Sequence, residues 1–194
     1  MRFINTKFIK SASKRDEFIV DDFSQVAIVG RSNVGKSSII NMLTNNSKMA
    51  KTSSTPGRTR LVNYFLVNNE FYLVDLPGYG FHKASKDIAM NWDKVMNDYF
   101  TDNEKLKVVL LLLDCRHEPN NLDLEMLDYL AEKEIPAIIV LTKIDKLSRS
   151  EVNNQITKIS KLVRFNRERI VATSATKKQG TDQIGKLLDE FITK

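Results

Sequence analysis

Short apolar runs alternate along this chain with segments of helical period. Gln25 to Val29 is a brief apolar run that ends at Gly30, and Lys36 to Leu43 has the spacing of a helix. Arg60 to Val67 and Glu70 to Val74 read as two strands. The Asn68-Asn69 pair between them suits a tight turn, so an antiparallel hairpin is expected. Asp87 to Phe100 places Ile88, Trp92, Val95, Met96 and Tyr99 on one helical stripe. Leu106 to Leu113 reads as a strand covered on both faces, its stretch from Val108 onward being unbroken apolar. Leu122 to Lys133 is helical, Ala137 to Leu141 a buried strand and Ser148 to Phe165 a long amphipathic helix. Arg169 to Ala172 is a last strand and Asp182 to Ile192 a last helix.

This alternation predicts an α/β domain over residues 25–194. Its sheet is expected to be mainly parallel and six-stranded, with one antiparallel strand and helices on both faces. Residues 1–24 read as an N-terminal extension packed on that domain. In such sheets ligands sit beyond the carboxyl ends of the strands. Chemistry-bearing residues are therefore expected directly after strands.

Composition narrows the class without deciding it. The chain has 194 residues, 42% hydrophobic and 28% charged, within the range of a single globular domain. Its one cysteine, Cys115, excludes a disulfide framework and a Cys/His zinc site and favours a reducing cytoplasmic compartment. The longest apolar run is too short to span a bilayer, and no signal peptide is read. The net charge of +6 favours anionic partners. Bases gather at Lys158, Lys161, Arg164, Arg167, Arg169, Lys177 and Lys178, and again at Lys48, Lys51, Arg58 and Arg60. These clusters suit an RNA-facing surface, and equally suit solvated helix faces and phosphate neutralisation.

Four motifs follow strands. Gly30-Arg31-Ser32-Asn33-Val34-Gly35-Lys36-Ser37 fits G-x-x-x-x-G-K-S/T and opens a helix. Its glycines let the backbone wrap a phosphate chain, its N–H groups and the helix start face negative charge, Lys36 neutralises the outer phosphates and Ser37 offers a hydroxyl to Mg²⁺. Asp75-Leu76-Pro77-Gly78 supplies a carboxylate able to hold Mg²⁺ through water and an N–H at Gly78 able to sense a γ-phosphate. Thr142-Lys143-Ile144-Asp145 places a carboxylate that can accept from guanine N1–H and the exocyclic amine, a donor pair adenine lacks, while the Lys143 stem can cover the base. Ser174-Ala175-Thr176 is a small-residue turn whose N–H groups can approach the base oxygen. Between the first two motifs, Thr52 to Arg60 is a polar loop. Thr59 is the expected second Mg²⁺ ligand, with Thr55 as the alternative.

The stretches GRSNVGKSS, TSSTPGRTR, VDLPGYGF and LTKIDKL, in this order, resemble the EngB (YihA/YsxC) family of bacterial ribosome-biogenesis GTP-binding proteins. That family lies within the TrmE-Era-EngA-EngB-septin-like GTPases. The resemblance covers nearly the whole chain and implies a P-loop NTPase G domain. It implies GTP and GDP binding with Mg²⁺ held by Ser37, Thr59 and Asp75, a first switch formed by Gly57, Arg58, Thr59, Arg60 and Leu61, and a base backed by Thr173, Ser174 and Ala175. A cytoplasmic monomer that assists assembly of the large (50S) ribosomal subunit through that subunit or its rRNA is implied too, as is a need in cell division and septation. Asn33 sits where related GTPases can hold K⁺, so its role is either that or loop shaping. Lys36, Thr59, Gly78 and Asn33 are the expected catalytic set. One departure is Thr142, where many GTPases carry Asn; its hydroxyl can still bridge to the phosphate loop. Another is Tyr79, where Ras-like enzymes carry a water-orienting glutamine, which implies slow intrinsic hydrolysis. On the residues alone, an ATP-dependent nucleotide kinase leaves the TKID stretch unexplained. A non-catalytic RNA-binding module predicts association that ignores nucleotide.

Overall fold

The computed structural model describes residues 1–50, 61–80 and 94–192. Seven strands form one sheet: β1 (Thr6–Ala12), β2 (Ser24–Gly30), β3 (Val62–Val67), β4 (Phe71–Asp75), β5 (Leu106–Asp114), β6 (Ala137–Thr142) and β7 (Ile170–Ala172), in the spatial order β1-β3-β4-β2-β5-β6-β7. The pairs β2–β4, β2–β5, β5–β6 and β6–β7 are parallel, while β3 runs opposite to both of its neighbours. The four named helices are α1 (Lys36–Leu43), α2 (Asn121–Glu132), α3 (Arg149–Leu162) and α4 (Thr181–Ile192), and residues 94–100 are also helical.

The β3–β4 hairpin follows from its turn. Asn68 and Asn69 adopt φ of +53° and +56°, and the Glu70 N–H donates to the Val67 carbonyl at 2.9 Å. Asparagine tolerates this left-handed backbone, which matches the twist of the flanking strands. The Asn68 side chain also fastens the N-terminal segment: its Oδ1 accepts from the N–H groups of Ile4 (3.0 Å) and Asn5 (3.1 Å), and its Nδ2 donates to the Arg2 carbonyl at 2.6 Å.

The sheet has one strand more than the alternation predicts. The addition is β1, which lies in the segment read as an extension and pairs with β3 from Thr6 opposite Val67 to Ala12 opposite Val62. It is an edge strand, mostly exposed and interrupted by a bulge between Phe8 and Lys10, so its sequence carries neither an apolar run nor a clean alternation. The helix expected over Ser148–Phe165 ends at Leu162, three residues early. Arg164 takes φ of +49°, a backbone that cannot continue a right-handed helix. Of the helix expected over Asp87–Phe100, residues 94–100 are helical, and its earlier part, with Ile88 and Trp92, lies outside the described residues.

Two apolar layers cover the sheet. On one face Ile39, Ile40 and Leu43 of α1 and Ile184 and Leu188 of α4 pack over Val26, Ile28, Val108 and Leu110. On the other, Val95, Met96 and Tyr99, with Leu130 of α2 and Ile159 of α3, pack over Ala27, Val109 and Leu111. The alternation within β2 and β5 thus feeds both layers, which is why these strands read as continuous apolar runs. Within the second layer one buried polar group is fully used: the Gln25 side-chain carbonyl accepts from the Tyr99 hydroxyl (2.9 Å) and the Asn103 amide (3.2 Å). No described helix is long and apolar enough to cross a membrane.

Candidate functional site

Every motif falls at the carboxyl end of a strand, on one edge of the sheet. The first occupies the loop from β2 to α1. Gly35 has φ of +104° and Asn33 +64°, so the loop coils back on itself before Lys36 and Ser37 open α1. The first N–H groups of a helix have no partner within it, which makes this end receptive to an anion.

Register brings the second motif alongside. Asp75 closes β4 opposite Ile28 of β2, so its carboxylate stands beside the root of the loop. The Lys36 ammonium is ion-paired with Asp75 Oδ1, and Asn63 Nδ2 donates to Oδ2 at 3.2 Å. Both charged side chains are nearly buried, 10% exposed for Lys36 and 5% for Asp75. The chain after Asp75 then runs against the phosphate loop: Tyr79 N–H donates to the Gly30 carbonyl (3.2 Å) and Ser32 N–H to the Tyr79 carbonyl (3.0 Å). A Cβ on Gly78 would sit 3.3 Å from the Gly30 carbonyl oxygen and 3.5 Å from Ser32 N, so the glycine lets the two backbones touch.

The third and fourth motifs form the opposite wall. Thr142, buried at the end of β6, donates its hydroxyl to the Val34 carbonyl at 2.7 Å, bridging to the phosphate loop. Lys143 has φ of +63°, and its ammonium donates to the Asn33 carbonyl (2.8 Å) and to Asp114 Oδ2 (2.9 Å). Ile144 N–H donates to the Thr173 carbonyl at 3.2 Å, joining this turn to the loop after β7. In that loop Thr173 is anchored on the Leu141 carbonyl through its N–H (2.7 Å) and hydroxyl (2.9 Å). Ser174, fully buried, donates its hydroxyl to Asp145 Oδ1 at 2.8 Å. That hydrogen bond holds the Asp145 carboxyl below its ordinary range, so it is an anionic acceptor at neutral pH. Ala175 follows, and its carbonyl accepts from Lys178 N–H at 3.4 Å.

Of the expected first switch, Leu61 is described and exposed; Gly57, Arg58, Thr59 and Arg60, with the alternative Thr55, lie outside the described residues. Two features were not read from sequence. Asp114, at the end of β5, takes the Lys143 ammonium and the Arg116 guanidinium together (Arg116 Nε to Oδ1 at 2.9 Å, Nη2 to Oδ2 at 2.7 Å). Burial by itself would raise its pKa, but these two cations outweigh burial and keep the carboxyl far below the usual range. Its available signal was an acid closing an apolar strand. The other is Tyr79, whose buried hydroxyl donates to Asp123 Oδ1 at 2.8 Å; burial, then the Asp123 charge, pushes this phenol well above its ordinary pKa. No local pattern announces a contact between residues 44 positions apart.

These residues fit a nucleotide with a divalent cation. The glycine-lined loop leaves room for a phosphate chain against the backbone. The Ser37 hydroxyl and Asp75 carboxylate are hard oxygen donors of the kind Mg²⁺ takes.

The family model described as 50S ribosome-binding GTPase matches residues 25–143, and that of the elongation factor Tu GTP-binding domain matches residues 96–194. The chain is 46% identical over 193 residues to a probable GTP-binding protein EngB from Clostridium kluyveri, covering 99% of this chain and 98% of that protein. The chain belongs to the EngB family of GTP-binding proteins. Among solved structures, a probable GTP-binding protein EngB superposes with a TM-score of 0.73 at 24% identity, over 88% of this chain and 99% of the other. Era in complex with MgGDPNP and nucleotides 1506–1542 of 16S ribosomal RNA superposes at 0.69 with 26% identity, over 88% of this chain and 57% of Era. NFeoB from S. thermophilus bound to GDP, AlF4⁻ and K⁺ gives 0.63 and 27% identity, over 88% of this chain and 63% of the other. As an EngB protein the chain is a guanine-nucleotide-binding GTPase on an α/β P-loop domain.

The Lys36–Asp75 pair yields a test. Removing one partner of a buried ion pair leaves the other charge stranded, at a cost of about 3–5 kcal/mol. Lys36→Ala is expected to lose stability on that scale in urea unfolding without added nucleotide. Adding Asp75→Asn should recover part of the loss, and unchanged stability in Lys36→Ala would contradict the pairing.

Proposed function

We propose that this GTPase is a nucleotide-dependent switch that acts as a cytoplasmic monomer in assembly of the large ribosomal subunit, and through it supports normal division and septation. The observation that carries the reading is the match to the 50S ribosome-binding GTPase model across residues 25–143, a span that holds the phosphate loop and Asp75–Gly78 and ends at Lys143, two residues before Asp145. The rRNA-bound Era neighbour and the basic clusters around Lys158–Lys178 and Lys48–Arg60 favour an RNA-bearing partner.

In this reading Gly30, Arg31, Ser32, Asn33, Val34, Gly35 and Lys36 cradle the phosphates with backbone N–H groups and one ammonium. Ser37, Asp75 and Thr59 hold Mg²⁺, which when bound neutralises charge on the outer phosphates. Gly78, reached through Leu76 and Pro77, senses the γ-phosphate with its N–H. Asp145 reads guanine, with Thr142, Lys143 and Ile144 setting its turn and Thr173, Ser174 and Ala175 backing the base. Gly57, Arg58, Arg60 and Leu61 flank Thr59 in the first switch.

Hydrolysis by this set is slow. The residue after Gly78 is Tyr79, whose ring is buried and whose hydroxyl is engaged by Asp123, so it does not take the water-orienting role of a glutamine. The carbonyl of Asn33 is held by Lys143, which leaves its side chain on the exposed rim of the loop as a candidate K⁺ ligand. The K⁺-bound NFeoB neighbour makes this the favoured role for Asn33.

Sedimentation of ribosomal subunits tests the switch. The protein should travel with the large subunit in a non-hydrolysable GTP analogue and leave it in GDP. Association indifferent to nucleotide would support a plain RNA-binding module, and absence of association in both would remove the ribosomal role. Single-turnover hydrolysis should be faster in K⁺ than in Na⁺ buffer; equal rates would return Asn33 to loop shaping.

A further inference from the structure

Parallel pairing sets Asp114, the last residue of β5, opposite Thr142, the last residue of β6. This places the Asp114 carboxylate beside the first residue after β6, which is Lys143. The Asp114 side chain is only 16% exposed, and one of its oxygens, Oδ2, accepts from both Lys143 Nζ (2.9 Å) and Arg116 Nη2 (2.7 Å). The other, Oδ1, accepts from Arg116 Nε (2.9 Å) and Arg116 N–H (3.1 Å). A planar fork and a backbone N–H thus fix the carboxylate, and the fixed carboxylate in turn fixes the ammonium.

What Lys143 spans gives this consequence. Its ammonium reaches the Asn33 carbonyl in the phosphate loop, and its Cε passes 3.8 Å from where a Cβ on Gly35 would stand. The stem therefore lies across the site from the base turn to the phosphate loop. A free lysine stem gives up rotamer entropy when it is ordered, so a stem already held straight presents its apolar side without that loss on binding.

We propose that Asp114 is a positioning residue for guanine-nucleotide binding: it holds Lys143 extended between the base turn and the phosphate loop, so that base and phosphate ends are gripped by one prearranged side chain. The inference rests on the reading of Lys143 and Asp145 as the base-binding pair. It assigns Asp114 no contact with the nucleotide and acts wholly through Lys143.

Dissociation of a fluorescent GDP, with competition by GDP and inosine diphosphate, tests this. Loss of a charge-assisted hydrogen bond of this kind predicts about tenfold faster dissociation in Asp114→Ala. Asp114→Asn keeps its shape and an oxygen that can accept from Lys143, and should fall between wild type and Asp114→Ala, which separates positioning from gross misfolding. Lys143→Met should also release GDP faster, and adding Asp114→Ala to it should bring no further change, because the two act as one unit. The ratio of GDP to inosine diphosphate affinity should stay at the wild-type value in Asp114→Ala, since Asp145 reads the exocyclic amine that inosine lacks. Wild-type dissociation in Asp114→Ala alongside a fast Lys143→Met would overturn the role of Asp114 and leave the base site intact, as would effects that multiply in the double variant. Wild-type dissociation in Lys143→Met would remove the base-site reading and this inference with it.

Discussion

The parallel ladder β2–β5–β6 is the constraint on which the rest of the site depends. Gly30 lies opposite Leu112, Leu112 opposite Val140 and Asp114 opposite Thr142. The phosphate loop, a carboxylate and the turn proposed to read the base therefore emerge side by side from three strands whose own side chains are almost wholly buried. Because side chains alternate faces along a strand, a slip of one residue would turn these groups to the opposite side of the sheet and exchange the residues that pack into its two layers. The apolar layers on both faces thus hold the polar edge in register. The Thr142 hydroxyl on the Val34 carbonyl and the Lys143 ammonium on the Asn33 carbonyl then fasten base loop to phosphate loop directly.

Much of this was legible from the chain. Strands with two buried faces announce themselves as apolar runs, and β2, β5 and β6 all do. The Asn68-Asn69 turn announces its hairpin because few residues accept that backbone. β1 was not legible as a strand, since an edge strand with Lys7 and Lys10 and exposed Phe8 and Ile9 carries no burial signal, and its existence depends on β3 offering a free edge. The places of the motif residues were legible because each motif is contained within a few positions and directly follows a strand. Asp114 was not, because its role is created by pairing between strands, and neither was Asp123, which meets Tyr79 across the fold. The switch ligand, Thr59 against Thr55, falls outside the described residues.

Tyr79 shows how one residue ties the chemistry to the fold. Its backbone pairs with the phosphate loop through Gly30 and Ser32, and its side chain reaches into the core to Asp123, which also completes the cap of α2 by exchanging hydrogen bonds with Asn120. The segment that follows Gly78 is thus anchored at its first residue, and any rearrangement driven by a γ-phosphate has to hinge beyond it or break a buried hydrogen bond. A tyrosine at this place serves as an anchor, in line with the slow hydrolysis proposed above.

In the proposed site a single carboxylate, that of Asp145 in the turn after β6, held by the Ser174 hydroxyl, selects guanine. Equilibrium binding of GTP, xanthosine triphosphate and ATP to the wild-type protein and to Asp145→Asn tests it most directly. GTP should bind far ahead of the other two in the wild type, and the variant should shift from GTP to xanthosine triphosphate with ATP still weak. Equal affinity for GTP and ATP in the wild type, or an unchanged order in Asp145→Asn, would contradict it.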